Sequence, residues 1–212
     1  MILLSLVEYP VELLFSHWIA LRYFPFYSRF SDVQRCEWLA WVNTVLFQTS
    51  FTCFYYSGWA SLDLGFYFLG HVIYDTLFLL MYRTEALMYV HHLLAITVCG
   101  IVYFLGEPVL SEINTAASML ERTNILLGTV WLLNRAGYGN TLWVKILGAF
   151  ALFVYVFFRM VSFPFYLLFL SSWTTLLLMG IFIPMNVFWS WKLMKYYYHM
   201  AFDRKAGGER LE

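Results

Sequence analysis

The sequence predicts an all-α membrane protein of about seven transmembrane helices, with its N-terminus lumenal or outside and its C-terminus cytosolic. Three observations predict it. Apolar residues make up 62% of the 212 residues and charged ones only 12%, against roughly 45–50% and about 25% in soluble domains. A soluble domain of this length keeps too much of its surface in water to hide so much apolar area. Seven stretches are each long enough to cross a hydrocarbon core of about 30 Å as a helix. Finally, the cations gather on one side of those stretches. The composition excludes a soluble enzyme and a disordered chain. Thirteen Lys/Arg balance thirteen Asp/Glu, so no net positive field draws phosphates, and a nucleic-acid partner is excluded as well.

The seven predicted spans are 3–23, 38–57, 65–82, 88–105, 110–133, 144–170 and 173–193. Pro25, Gly58, Asp63, Gly106–Glu107–Pro108 and Gly137–Gly139 punctuate the junctions. The first span carries Glu8 and Glu12 and no basic leader, so it reads as a retained helix rather than a signal peptide. The fifth is the least apolar and is a span only in context. The sixth is overlong and contains Pro164, which predicts a kink or tilt. Lys192 and Lys195 close the seventh. The spans divide the chain into 1–37 (a first span and basic loop), 38–195 (the main helical domain) and a short cytosolic tail, 196–212.

Charge placement tests the count. One side holds Arg22, Arg29, Arg35, Arg83, Arg135, Lys145, Lys192, Lys195, Arg204, Lys205 and Arg210, and the opposite loops hold none of the thirteen cations. The remaining two, Arg122 and Arg159, lie inside spans. By the positive-inside rule the cation-bearing side is cytosolic. Cys36, Cys53 and Cys99 are an odd number without Cys-x-x-Cys spacing, which points to neither a disulfide framework nor a zinc site.

Ionisable side chains within a bilayer cost about 2.5–3.5 kcal/mol each on insertion scales, so they turn inward and have a role. The third span carries His71 and Asp75, four apart and on one helix face. His91 and His92 open the fourth. The fifth carries Glu112, Asn114, Ser118, Glu121, Arg122 and Asn124, of which Asn114, Ser118 and Glu121 form a polar stripe. Glu112 and Glu121, nine apart, point to nearly opposite sides. Arg159 lies midway along the sixth and is expected to pair with Glu121 or Glu112. Neighbouring helix positions are about 100° apart, so one ring of the His91–His92 pair can face a cavity while the other flanks it. Such a pair, with carboxylates nearby, can abstract a proton or carry an acyl group. No His pair has the helix spacing of a metal site, so no metal is expected.

A longer pattern emerges from Gly65-Phe66-Tyr67-Phe68-Leu69-Gly70-His71-Val72-Ile73-Tyr74-Asp75, Glu85-Ala86-Leu87-Met88-Tyr89-Val90-His91-His92, Ser111-Glu112-Ile113-Asn114, Leu120-Glu121-Arg122-Thr123-Asn124, Trp131 and Phe158-Arg159. In order and spacing it resembles the TLC-domain (TRAM/LAG/CLN) membrane proteins over nearly the whole chain. It is closest to their small members and more distantly similar to ceramide synthases. The resemblance implies six helices in a barrel around a polar tunnel, the first span peripheral, and residence in the endoplasmic reticulum or another endomembrane rather than the plasma membrane. It implies a role in sphingolipid or phospholipid homeostasis, with a membrane lipid or fatty-acyl chain as the partner. The only co-substrate it implies is acyl-CoA, and no resident cofactor.

In that reading His91, His92, Asp75 and Glu121 are the candidate catalytic residues of an acyl transfer. His71, Glu112, Asn114, Asn124, Arg122 and Arg159 are the candidate substrate contacts, with either arginine facing an acidic headgroup or the donor's phosphates. Ceramide synthases place two aspartates on the following helix at positions that here are Ala117 and Leu120. The alternative is a non-catalytic lipid sensor or trafficking adaptor whose polar interior sets helix register. A proton-coupled transporter is disfavoured, because the chain shows no internal repeat or paired broken helices.

Overall fold

A computed structural model describes residues 2–59, 61–80, 86–105, 109–170 and 172–202. Within these residues every regular element is helical. The helices are α1 (Ile2–Tyr23), α2 (Asp32–Tyr56), α3 (Ser61–Leu79), α4 (Ala86–Leu105), α5 (Val109–Leu133), α6 (Leu142–Phe157), α7 (Phe163–Leu167), α8 (Trp173–Gly180) and α9 (Phe182–Phe202). The first five follow the first five predicted stretches loosely, and the last four fall within and just beyond the final two. Arg83, Glu85, Gly106, Glu107 and Pro108, with the tail cations Arg204, Lys205 and Arg210, lie outside the described residues.

The breaks have local causes. A π turn, Phe158–Ser162, joins α6 to α7, and the Phe163 N–H reaches back five residues to Phe158 O. The helix widens where Pro164, lacking an N–H, could not have continued the α ladder. The expected kink is therefore a change of register. Pro184 similarly follows the turn at Ile181 that separates α8 from α9. Gly137 takes φ +91 in the π turn Asn134–Tyr138 that leaves α5, a backbone state that favours glycine. α2 begins at Asp32, earlier than expected, because Ser31 and Gln34 form a reciprocal capping box. α9 runs on to Phe202, past residue 193, so both expected domain boundaries (37/38 and 195/196) fall inside continuous helices.

α5 is enclosed by its neighbours, packing against α2, α3, α4, α6, α7 and α8. Position explains composition: the helix richest in polar residues is the one most shielded by other helices. α2 approaches α5 closely at Gly128, where a Cβ would lie 2.6 Å from Val45 Cγ2. α1 packs on α3 and α2, with Tyr9 buried among Phe47, Tyr67 and Tyr74. The loop after α1 buries Tyr27, whose hydroxyl meets His17 Nδ1 at 2.8 Å. Burial pushes that phenol up to about 12, which keeps it protonated.

The outer surface is apolar. Leu14, Leu142, Leu168, Trp173 and Leu177 are each at least 70% exposed. Two stretches of 26 residues, Leu142–Leu167 and Trp173–Tyr198, are long and apolar enough to cross a membrane.

Candidate functional site

A partly open cavity of about 310 Å³ lies between α3, α4 and α5 and the α8–α9 pair. Most of its wall is apolar, including Leu69, Val98, Val102, Leu110, Ile113 and Met179. His91, Glu121, Arg159 and Asn186 line it together, and Asn114 lies further along α5. α1 contributes nothing to the lining.

The two histidines divide their roles. His91 lines the cavity, its ring edge-on to Phe182 at 5.8 Å, and makes no hydrogen bond among the described residues. His92 is buried behind it, ring centroids 5.7 Å apart. Its Nε2 stands 3.4 Å from Asp75 Oδ2 and its Nδ1 2.9 Å from Thr76 Oγ1. Thr76 also lies 2.6 Å from Val72 O, and its single hydroxyl proton can serve only one of these acceptors. His92 and Asp75 thus face each other at ion-pair distance, with Thr76 on the other ring nitrogen.

Arg159 sits on the π turn, 6% exposed, and donates to neutral oxygens only. Its Nε meets Thr123 Oγ1 at 3.3 Å and its Nη1 meets Asn186 Oδ1 at 2.8 Å. Its Nη2 reaches Leu120 O at 3.1 Å and Asn124 Oδ1 at 3.2 Å. The guanidinium also stacks 4.4 Å over the Tyr155 ring. Glu121 Oε2 accepts from Gln48 Nε2 at 2.6 Å and from Asn124 Nδ2 at 3.1 Å. The expected Arg159–Glu121 ion pair is therefore not direct. Asn124, one turn along from Glu121, accepts from one partner and donates to the other.

The other expected contacts lie elsewhere. His71 is buried and stacked on Phe47, ring centroids 3.6 Å apart at 7°, away from the cavity lining; its Nδ1 has no hydrogen-bond partner. Tyr9 packs tilted against the same ring. Glu112 accepts from Thr175 Oγ1 at 2.7 Å and does not line the cavity, because it projects from the opposite side of α5 to Glu121. Arg122 reaches Tyr56 OH at 2.7 Å and covers the Phe158 ring at 4.6 Å, so it too is outside the lining. Among the described residues no three His, Cys, Asp or Glu side chains come together as metal ligands.

Three neutral residues complete the network: Gln48, Thr76 and Asn186. Amides inside the apolar runs of the second and seventh predicted spans were the available signal for Gln48 and Asn186. They obey the same inward-turning logic as charges. Comparisons with protein-family models, with curated proteins and with solved structures found no match.

Proposed function

We propose that the chain is a multi-pass membrane protein of TLC-domain type that acts in lipid homeostasis and holds a lipid or acyl chain in its cavity. The observation that carries this reading is the cavity itself, long, apolar and walled by helices, with ionisable groups on its wall. The apolar exterior supports seven spans, since surface of this kind needs lipid to cover it. The contact between Arg135 and Glu37, 3.0 Å apart, supports the cation partition by joining two basic connections at one end of the bundle. Close packing of Tyr197 on Gly148 brings the far part of α9 to that end too.

His91 is the group best placed to act on a bound headgroup. In an acyl transfer its neutral ring would take the proton of an acceptor hydroxyl or amine while that atom attacks a thioester carbonyl. The C–S bond would then break, and the thiolate would leave with the proton. His92, held by Asp75 and Thr76, would support His91 from behind. Ala117 and Leu120, on the cavity wall, make it apolar where ceramide synthases carry aspartates, which favours a chemistry or ligand distinct from theirs.

Lipid mass spectrometry of the purified protein tests the binding reading: a single class of acyl-containing lipid is expected to co-purify in stoichiometric amount, and a profile matching bulk membrane would overturn it. For catalysis, label transfer from acyl-CoA is expected to vanish in His91→Ala while folding and lipid retention survive. Equal transfer by that variant would exclude His91 as the catalytic group.

A further inference from the structure

We infer that the cavity selects an uncharged, hydroxyl-bearing lipid with a single chain. This inference rests on the lipid-binding reading above and names the class of ligand.

Charge balance comes first. Among the described residues, Arg159 and Glu121 are the only cavity-lining ones with a formal charge at neutral pH, His91 counted as neutral, and they are linked through Asn124. Four of the five guanidinium N–H groups are committed to neutral oxygens, so Arg159 offers no fork for a phosphate or carboxylate. An ionic headgroup would leave one charge uncompensated in a region walled by apolar side chains, where desolvation is costly.

Unfilled hydrogen-bonding capacity comes second. Asn186, 3% exposed, lines the cavity and its Nδ2 has no partner. Glu121 Oε1 accepts no hydrogen bond among the described residues, and neutral His91 brings one donor and one acceptor. Such a wall asks for a group that both donates and accepts, which a hydroxyl does.

Shape comes third. The lining spans the stretch of α4 from His91 to Val102 and that of α5 from Leu110 to Glu121, each about 16 Å at the helical rise. The volume is about 310 Å³, at the lower end of the roughly 300–1,000 Å³ of ligand pockets. It suits one chain rather than a diacyl lipid. Monoacylglycerols and long-chain alcohols share this chemistry.

Cys99 lines the same cavity and serves as the reporter. In the full chain carrying Cys36→Ser and Cys53→Ser, purified in detergent, maleimide labelling of Cys99 is timed with four amphiphiles of equal chain length. These are monopalmitoylglycerol, hexadecanol, palmitoyl lysophosphatidic acid and hexadecyltrimethylammonium. The two neutral lipids are expected to slow labelling at least about tenfold more than either ion, the factor that about 1.4 kcal/mol confers. Glu121→Gln, which leaves Arg159 unbalanced, is expected to move the preference toward lysophosphatidic acid.

Equal or better protection by either ion in the parent chain overturns the inference, whatever the variant does. So does an unchanged order of headgroups in a folded Glu121→Gln protein. If no amphiphile protects Cys99, the lipid-binding reading itself fails. Strong protection by monopalmitoylglycerol alone identifies a glycerol head; equal protection by hexadecanol shows that one hydroxyl suffices.

Discussion

Arg159 keeps a full charge inside the helical bundle without a carboxylate in contact. Its charge is spread over the Thr123, Asn186, Asn124 and Leu120 oxygens and the face of Tyr155. Asn124 is the residue on which this arrangement turns, because it serves Arg159 and Glu121 at once. Asn124→Leu removes an acceptor from one charge and a donor from the other, so the protein is expected to lose roughly 1–3 kcal/mol or more. Thermal unfolding in detergent would show this as a lower midpoint, and an unchanged midpoint would mean that the bridge contributes nothing. His91, Glu121 and Arg159 were legible in the sequence because charged or ionisable groups stand out in an apolar run. Asn186 and Gln48 stand out less than Asn114 and Asn124, which share the polar fifth span, because their partners come from distant segments. His71 shows the reverse difficulty. Its place in a span drew attention, but only packing reveals that its ring is stacked on Phe47 rather than facing the cavity.

Among the elements, α5 and α2 pack along one another, and Gly128 is a point of close approach. A Cβ there would stand 2.6 Å from Val45 Cγ2 and 3.1 Å from Trp41 Cε3. Gly128→Ala should gain helix propensity in isolation, yet overpacking costs about 1–3 kcal/mol, so destabilisation is the expected result. Gly100→Ala is the control, because no atom lies within 4 Å of its Cβ. Unfolding midpoints that rank Gly128→Ala below the parent and Gly100→Ala at or above it would support this packing. The reverse order would contradict it. The helical stretches were readable from apolar runs and their punctuation, because length and composition decide what can be helical here. The division of the sixth and seventh stretches was only partly readable. Pro164 marked a disturbance, but whether a helix bends, breaks or changes register depends on what packs against it.

For the molecule as a whole, the exterior carries many exposed apolar side chains, and Arg135 and Glu37 tie the turn after α5 to the first turns of α2. Single cysteines at Ser28 and Thr141, in a chain without its native cysteines, are expected to react with an impermeant maleimide from the cytosolic side of sealed microsomes. A cysteine at Ser57 is expected to react only after permeabilisation. Labelling of all three from one side would refute the seven-span arrangement. The partition of cations is an expectation that the sequence alone supplies, because it needs only the order of spans and loops. The identity of the interior is not, since it depends on which face each helix turns inward.

The π turn gives the site an unusual dependence on chain length. A π turn is an α-helix carrying one extra residue, and here that residue lies in the segment that holds Arg159. A chain of the same composition with one residue fewer between Phe158 and Ser162 could still form an apolar helix of adequate length. Its ladder would be more regular, but the residues on either side of the deletion would turn by about 100° relative to each other. Arg159 could then no longer keep both Thr123 and Asn186 while α7 kept its seat. The cavity wall is thus encoded by counting as much as by chemistry.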